Sequence, residues 1–233
     1  MGVVIIVAAL VWAFMPGIGW DLLGLRSRLG WPPQRSGEAL SSLPDGEAAR
    51  QLRALTVRDH DEESEPPDYD RGEFGQRWAD TDHNGCDTRN DILARDLARP
   101  TFKDGTRGCV VLSGTLAEPY TGKTIEFRRG EKTSSLVQID HVVALADAWR
   151  SGAWRWEAGR RQEFANDPDN LLAVDGDANE DKLASAADRW LPPNAAFRCD
   201  YVKRQISVKS RYGLSVTRSE QDAMAQQLST CPG

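Results

Sequence analysis

The sequence has no CxxC or CxxH pair, no charged residue among its first 20 and no net positive charge. The missing cysteine spacing argues against a zinc site built from cysteines. A formal charge of −6 at pH 7 excludes a general attraction to nucleic acid, so any such binding must come from a local basic patch. With 40% hydrophobic residues and eight Trp, the 233 residues can still bury a core, in one or two domains.

The uncharged N-terminal stretch is almost continuously apolar from Val3 to Met15. It is long enough to span a membrane and longer than a typical signal-peptide core. The first basic residues, Arg26 and Arg28, follow it, and the positive-inside rule would then keep the rest of the chain in the cytoplasm. The even number of cysteines instead favours disulfides, and therefore a location outside the cytoplasm. We predict export, with residues 1–25 either cleaved, giving a secreted protein, or retained as an anchor at the outer face of the membrane.

Residues 26–68 are predicted to form a flexible tether, and residues 69–233 the folded domain. The first part of the tether is rich in Pro, Gly and Ser. Residues 47–57 have helical spacing and predict a short amphipathic helix. The run RDHDEESEPPD is acidic and interrupted by proline, so we expect it to stay solvated, with His60 at its surface.

Four cysteines, an even number in an exported chain, favour two disulfides. Three pairings are open. We prefer Cys86–Cys109 and Cys199–Cys231, because each bond then closes a loop within one region of the chain.

Oxygen-bearing side chains recur between residues 80 and 91 at the spacing of a calcium loop. Asp80, Asp82, Asn84 and Asp91 would supply ligands to a structural Ca²⁺ ion, with Gly85 at the sharp turn. However, the last ligand position is Asp where such loops use a bidentate Glu, and no clear helix precedes the loop. The alternative is a turn held by Asx side chains that caps a helix over residues 91–98.

Other elements follow from local patterns. Residues 109–116 and 124–129 predict two strands of a hairpin. After Lys182, an apolar stripe predicts a helix over residues 183–190, and two more helices are expected over residues 195–212 and 219–228. The middle one is basic, and its side chains either contact phosphates or form a solvated face; they are Arg198, Lys203, Arg204, Lys209 and Arg211.

The segment from residue 137 to residue 182 carries the candidate chemistry. An apolar, β-like run over residues 137–145 contains Asp140 and His141, and a second short run follows Asn170. A helix is predicted to begin near Asn179. Lys182 lies three residues further along, so both side chains share one helix face.

With these motifs the chain resembles the HNH (ββα-metal, His-Me finger) endonucleases, and among them the bacterial secreted family related to the C-terminal domain of GmrSD-type restriction enzymes. The resemblance extends over residues 69–231. It includes FGQRWADTDHNGCDTRNDILARDL, GTLAEPYTGKTIEFRRG, QIDHVVALADAW, FANDPDNLLAVDG and WLPPN. It implies an α+β fold with a ββα-metal core over residues 136–191, an extra β-hairpin and flanking helices.

The resemblance also implies residue roles. Asp140 and Asn179 are the metal ligands, His141 is the general base, Asn170 is the loop residue that orients the base, and Lys182 stabilises phosphate charge. Hard oxygen ligands suit Mg²⁺ or Mn²⁺. The third letter of the motif is Asn rather than His, which favours these ions over Zn²⁺. Because consecutive strand residues point to opposite faces, the strand must end or bulge at Asp140 and His141 for both to reach one site.

The predicted function is therefore a metal-dependent endonuclease of low sequence specificity that leaves 3′-hydroxyl and 5′-phosphate ends. DNA is the preferred substrate, RNA stays open, and no obligate protein partner is expected. A membrane would be met only through the N-terminal segment. Two alternatives remain: a non-catalytic cell-surface module that binds calcium or a polymer through the Trp-rich residues 149–156, and a toxin-like effector nuclease.

Overall fold

A computed structural model describes residues 38–58, 65–131 and 133–232. The predicted signal or anchor segment, residues 1–25, lies outside these residues, as does His60. Within the described ranges, no helix combines the length and the apolar character needed to cross a bilayer.

The described residues form an α+β fold, as predicted, with eight α-helices and five strands. The helices are α1 (Glu38–Ser41), α2 (Glu47–Ala54), α3 (Thr88–Asp96), α4 (Leu145–Arg150), α5 (Ala158–Asn166), α6 (Gly176–Lys182), α7 (Arg198–Tyr212) and α8 (Arg218–Ser229). The strands are β1 (Leu97–Phe102), β2 (Val111–Ala117), β3 (Thr124–Arg128), β4 (Val137–His141) and β5 (Leu171–Asp175).

Three strands form an antiparallel sheet in the order β1-β2-β3. The β2–β3 hairpin is confirmed, but β1 was not expected, because the helix was predicted to continue through Ala98. Helix α3 instead ends at Asp96, and Leu97 opens β1. The neighbouring strand contributes Gly114, where a Cβ atom would lie 2.9 Å from the Leu97 Cβ atom. This contact joins residues that are distant in the chain, so local helix and strand propensities cannot predict it.

The second sheet is the antiparallel pair β4–β5, in register from Val137 opposite Asp175 to His141 opposite Leu171. Helix α6 follows β5 without a loop and contacts both strands. The Asp175 carboxylate caps this helix by accepting a hydrogen bond from the Ala178 amide at 3.0 Å. The predicted order of two strands and a helix is present, but β4 ends at His141 rather than residue 145, and the helix begins at Gly176 rather than near Asn179.

The described part of the predicted tether is packed into the fold. Leu43, Leu52 and Leu55 are buried in one cluster with residues of α7 and α8. The Gln221 side chain donates to the Leu52 carbonyl oxygen at 3.1 Å, and Val57 bridges to Val216. Residues 38–58 thus differ from a flexible tether, because their backbone bonds to residues more than 150 positions further along the chain and their leucines pack into the core.

The helix predicted for residues 183–190 is wrong. Leu183 adopts a positive φ of 52° that ends α6, and its side chain is 75% exposed. The rest of the stripe packs without a helix: Ala187 is buried, and the Trp190 ring lies 5.1 Å from that of Tyr120. Helices α7 and α8 lie close to their predicted positions.

Both preferred disulfides are confirmed. Cys86 pairs with Cys109, and Cys199 pairs with Cys231. The first ties the segment before α3 to the start of β2, and the second ties α7 to the end of the chain.

Candidate active site

Asp140 is a buried carboxylate with a donor on each oxygen. Its side chain lies on β4 and is 5% exposed. The Tyr120 hydroxyl donates to Oδ2 at 2.5 Å, and the Lys182 ammonium donates to Oδ1 at 2.9 Å. Burial raises the pKa of Asp140, while the adjacent Lys182 charge and the Tyr120 hydrogen bond oppose the rise.

Lys182, the last residue of α6, has no exposed surface. Besides the Asp140 carboxylate, its ammonium bonds the His141 carbonyl oxygen at 2.9 Å. It therefore lies inside the fold at the Asp-His pair, whereas the sequence reasoning assigned it to the phosphate. The phosphate contact stays a prediction.

The His141 ring is held by a hydrogen bond at Nε2. Nε2 lies 2.8 Å from the Ala165 carbonyl oxygen. Because a carbonyl oxygen only accepts, Nε2 carries the proton and Nδ1 keeps its lone pair. The Trp78 ring stacks on the imidazole at 5.9 Å with an interplanar angle of 11°. Burial lowers the pKa of His141 to about 3, so the ring is neutral at pH 7.

The strand ends at the Asp-His pair and does not bulge there. Asp140 stays in register with Leu172 and His141 with Leu171, the last pair of β4. The two side chains have different partners accordingly: Asp140 meets α6 and Tyr120, and His141 meets Trp78 and α5. Lys182 joins the two residues, through the side chain of one and the backbone of the other.

Asn170 holds the chain directly after His141. The Asn170 side chain is fully buried, and its oxygen accepts from the Val143 amide at 2.8 Å while its nitrogen donates to the Val143 carbonyl at 3.1 Å. Its backbone oxygen accepts from the Val142 amide at 2.8 Å. Its contacts are therefore to the backbone that follows His141 and not to the imidazole ring.

Asn179 lies on α6 over the face of β4 that carries Asp140. Its side-chain nitrogen donates to the Gln138 side chain at 2.8 Å. Gln138 and Asp140 are two residues apart on one strand and share a face. Among the described residues, no donor contacts the Asn179 side-chain oxygen.

This oxygen and the Asp140 carboxylate fit Mg²⁺ or Mn²⁺ in their chemistry, since each carboxylate oxygen keeps a second lone pair. The described residues contain no group of three or more His, Cys, Asp or Glu side chains placed to hold a metal ion. A metal here would therefore rest on Asp140 and Asn179, with water and phosphate oxygens.

The candidate calcium loop is held by its own hydrogen bonds. Asp80 accepts from the amides of Asn84 and Gly85 at 3.1 and 3.0 Å. Asp82 and Asp91 both accept from the Asn84 side chain, at 3.0 and 3.2 Å. These contacts are those of the turn held by Asx side chains, although the residue that caps α3 is Asp87 rather than one of the four candidate ligands. A structural Ca²⁺ ion here stays a prediction.

Residues 87–227, which include both sheets and the candidate site, match the family described as GmrSD restriction endonucleases, C-terminal domain. The chain belongs to this family. It is also 38% identical over 194 residues to an "Uncharacterized secreted protein" of Arthroderma benhamiae (strain ATCC MYA-4681 / CBS 112371), a match that covers 82% of this chain and 88% of the relative. No solved structure matches.

Membership in the GmrSD C-terminal domain family indicates a nuclease-related function and confirms the resemblance seen in the sequence. The sequence reasoning missed two residues that contact the Asp-His pair, Tyr120 within the family match and Trp78 before it. Both lie in segments that carried the resemblance, EPYTG and FGQRW. No local signal pointed to them, because each acts through a partner that is distant in the chain.

The Trp-rich segment of this domain belongs mainly to its core. Trp149 is 4% exposed and lies 6.1 Å from the Phe74 ring. Trp156 lies 5.6 Å from the Phe164 ring. This packing does not favour a polymer-binding surface built from the Trp residues.

Two of the five basic side chains of helix α7 pair with carboxylates. Lys209 is fully buried between Asp147 at 2.8 Å and Glu220 at 2.6 Å. Arg211 pairs with Asp167 at 3.3 Å and with Asp169 at 2.9 Å. Part of this charge is therefore neutralised before any phosphate approaches.

Proposed function

We propose that this chain is an exported, metal-dependent HNH endonuclease that hydrolyses DNA phosphodiester bonds with low sequence specificity. The observation that carries the proposal is the imidazole of His141. Its Nε2 is committed to the Ala165 carbonyl oxygen at 2.8 Å, so Nδ1 is the ring nitrogen left with a lone pair to act as the base. Family membership supports the nuclease chemistry.

His141 acts as the general base. Nδ1 takes the proton of the water that attacks phosphorus, a role for which a neutral imidazole is required. The Ala165 carbonyl keeps Nε2 protonated and stabilises the imidazolium that forms. Trp78 fixes the plane of the ring, and Asn170 fixes the backbone that follows it.

Asp140 and Asn179 would hold Mg²⁺ or Mn²⁺, which supplies positive charge to the phosphate as the leaving oxygen departs. Lys182 has no exposed surface and bonds both members of the Asp-His pair, which favours a role in holding that pair over direct phosphate contact. The expected products are 3′-hydroxyl and 5′-phosphate ends.

Export is supported by the two disulfides, which persist in oxidising compartments, and by the relative described as secreted. Cleavage or retention of residues 1–25 is a separate matter, tested by the N-terminal sequence of the mature protein. Low specificity is proposed because the described residues outside the family match form no further domain: residues 38–58 pack as two short helices on α7 and α8, and residues 65–86 pack against the domain as turns and loops.

The test uses the whole protein with its disulfides formed, because residues 38–58 pack into the domain. Supercoiled plasmid is incubated with Mg²⁺, Mn²⁺, Ca²⁺ or EDTA. The proteins are the wild type, His141→Ala, Asn179→Ala and the matched control His83→Asn, which changes an exposed histidine at a positive φ that Asn tolerates.

We expect nicking that needs Mg²⁺ or Mn²⁺, falls at least about 100-fold in His141→Ala and is unchanged in His83→Asn. Loss of nicking in Asn179→Ala that is restored in part by higher metal concentrations would support its role as a ligand. A folded wild type that cleaves neither plasmid nor RNA with any of these metals would refute the proposal.

A further inference from the structure

Tyr120 lies in the turn between β2 and β3 and reaches into the core beneath the Asp-His pair. It is fully buried, and its ring packs edge-on against Tyr201 at 5.6 Å and against Trp190 at 5.1 Å. Its hydroxyl donates a hydrogen bond to a residue outside this aromatic cluster, Asp140, at Oδ2 and 2.5 Å. A short hydrogen bond to an ionised acceptor is among the stronger kinds.

The turn around Tyr120 is held from two sides. The Glu118 carboxylate is 2% exposed and accepts from the amides of Tyr120 and Thr121 at 2.7 and 2.6 Å. From the other side, Asn194 donates its side-chain nitrogen to the Pro119 carbonyl at 2.9 Å and its amide to the Tyr120 carbonyl at 2.8 Å. The position of the Tyr120 hydroxyl is therefore set by the backbone as well as by ring packing.

This arrangement determines how Asp140 can turn. Lys182 engages one carboxylate oxygen and Tyr120 the other, so rotation of the carboxylate would break a buried hydrogen bond on either side. Each oxygen keeps one free lone pair in a fixed direction.

We infer that Tyr120 is a positioning residue for Asp140: its hydroxyl, aimed by the turn from Glu118 to Thr121, holds the carboxylate in the orientation in which it binds a divalent cation. The inference rests on the proposed function, because it takes Asp140 as the metal ligand. Partners of this kind, which hold a metal ligand without touching the metal, typically contribute 10- to 100-fold in metal affinity.

The test compares Tyr120→Phe with Tyr201→Phe in the full chain with disulfides formed. Both variants remove a buried hydroxyl from the same aromatic cluster and keep the ring. The Tyr201 hydroxyl meets the Gln205 side chain at 3.0 Å and makes no hydrogen bond to Asp140, which makes it the matched control. Mn²⁺ binding is measured by calorimetry without nucleic acid, and urea unfolding is measured in EDTA.

We expect Tyr120→Phe to weaken Mn²⁺ binding by about 10- to 100-fold and Tyr201→Phe to change it by less than about twofold. Both should lose stability, and Tyr120→Phe should lose more, because its hydrogen bond is made to a carboxylate while that of Tyr201 is made to a neutral amide. Mn²⁺ affinity that is unchanged in Tyr120→Phe, or that falls equally in both variants, would overturn the positioning role.

The plasmid assay distinguishes failure of the positioning role of Tyr120 from failure of the proposed nuclease function. Unchanged Mn²⁺ affinity in Tyr120→Phe, together with wild-type nicking that depends on His141, would overturn the positioning role alone. Selective loss of Mn²⁺ affinity in a protein that cleaves no nucleic acid would support the positioning role and refute the nuclease. A wild type that neither binds Mn²⁺ nor cleaves would overturn both.

Discussion

Replacing Lys182 with Met tests the buried ion pair beneath the candidate site. Met keeps most of the length and volume of the lysine stem but removes the charge. Asp140, 5% exposed, would then keep the Tyr120 hydroxyl and the His141 backbone amide as donors but no positive charge beside it. Removing one partner of a buried ion pair typically costs about 3–5 kcal/mol, because the remaining charge is uncompensated. Many domains have a total stability of only about 5–15 kcal/mol, so the expected loss is large.

The loss should depend on pH in a direction set by Asp140. Burial raises the pKa of this carboxyl above the ordinary value of 3.8, and Lys182 opposes that rise. Without Lys182 the pKa in the folded protein rises further. A carboxyl whose folded pKa exceeds its unfolded pKa stabilises the fold below the unfolded pKa, and this stability is lost as pH rises through the folded pKa. The deficit of Lys182→Met should therefore be smaller near pH 4.5 than at pH 7.5.

Urea unfolding at both pH values, in EDTA with the disulfides intact, measures this difference. The control Lys203→Met removes an exposed charge from α7 and should change stability by less than about 0.5 kcal/mol. Adding Asp140→Asn to Lys182→Met removes the uncompensated charge and should recover most of the loss. A deficit that is equal at the two pH values and is not recovered in the double variant would refute the reasoning.

Three further predictions concern the elements that hold the site. In Gly176→Ala, the new Cβ atom would clash with the Ser135 carbonyl oxygen, so we expect the free energy of unfolding in urea to fall by about 1–3 kcal/mol. The control Gly159→Ala has open space around its Cβ atom and should be neutral or stabilising. Equal effects of the two variants would contradict the clash. Replacing both Cys199 and Cys231 with Ala opens a loop with a sequence separation of 32 residues, and chain entropy then lowers the free energy of unfolding by about 3–4 kcal/mol. An unchanged unfolding midpoint under non-reducing conditions would contradict this prediction. Asn170→Ala leaves the Val143 amide and carbonyl without their side-chain partners, so we expect a loss of about 2–4 kcal/mol together with slower nicking; wild-type nicking would argue against a role for Asn170 in holding the base.

The strands and helix around the candidate site were predictable because their signals are local. Two short apolar runs become β4 and β5, and Asp175 caps the helix that follows. The disulfide pairing was predictable for a similar reason, since each bond closes a loop within one region of the chain.

Other elements were missed because they depend on partners far along the chain. Strand β1 is formed by pairing with β2, where Gly114 admits Leu97. Residues 38–58 read as a tether because their composition is that of a loop, yet Leu52 packs against helices near the other end of the chain. The apolar stripe after Lys182 has helical spacing, but the segment is irregular: Leu183 is exposed, while Ala187 and Trp190 pack against the core.

The strands and the helix that carry Asp140, His141 and Asn179 follow from neighbouring residues, because short apolar runs and a helix cap are local features. The partners of these side chains depend instead on the packing of distant elements. Tyr120 and Lys182 reach Asp140 from 20 residues before it and 42 residues after it. The tautomer of His141 is set by a carbonyl 24 residues away. Hydrogen bonds of this range exist only when packing brings the elements together, so no local pattern encodes them.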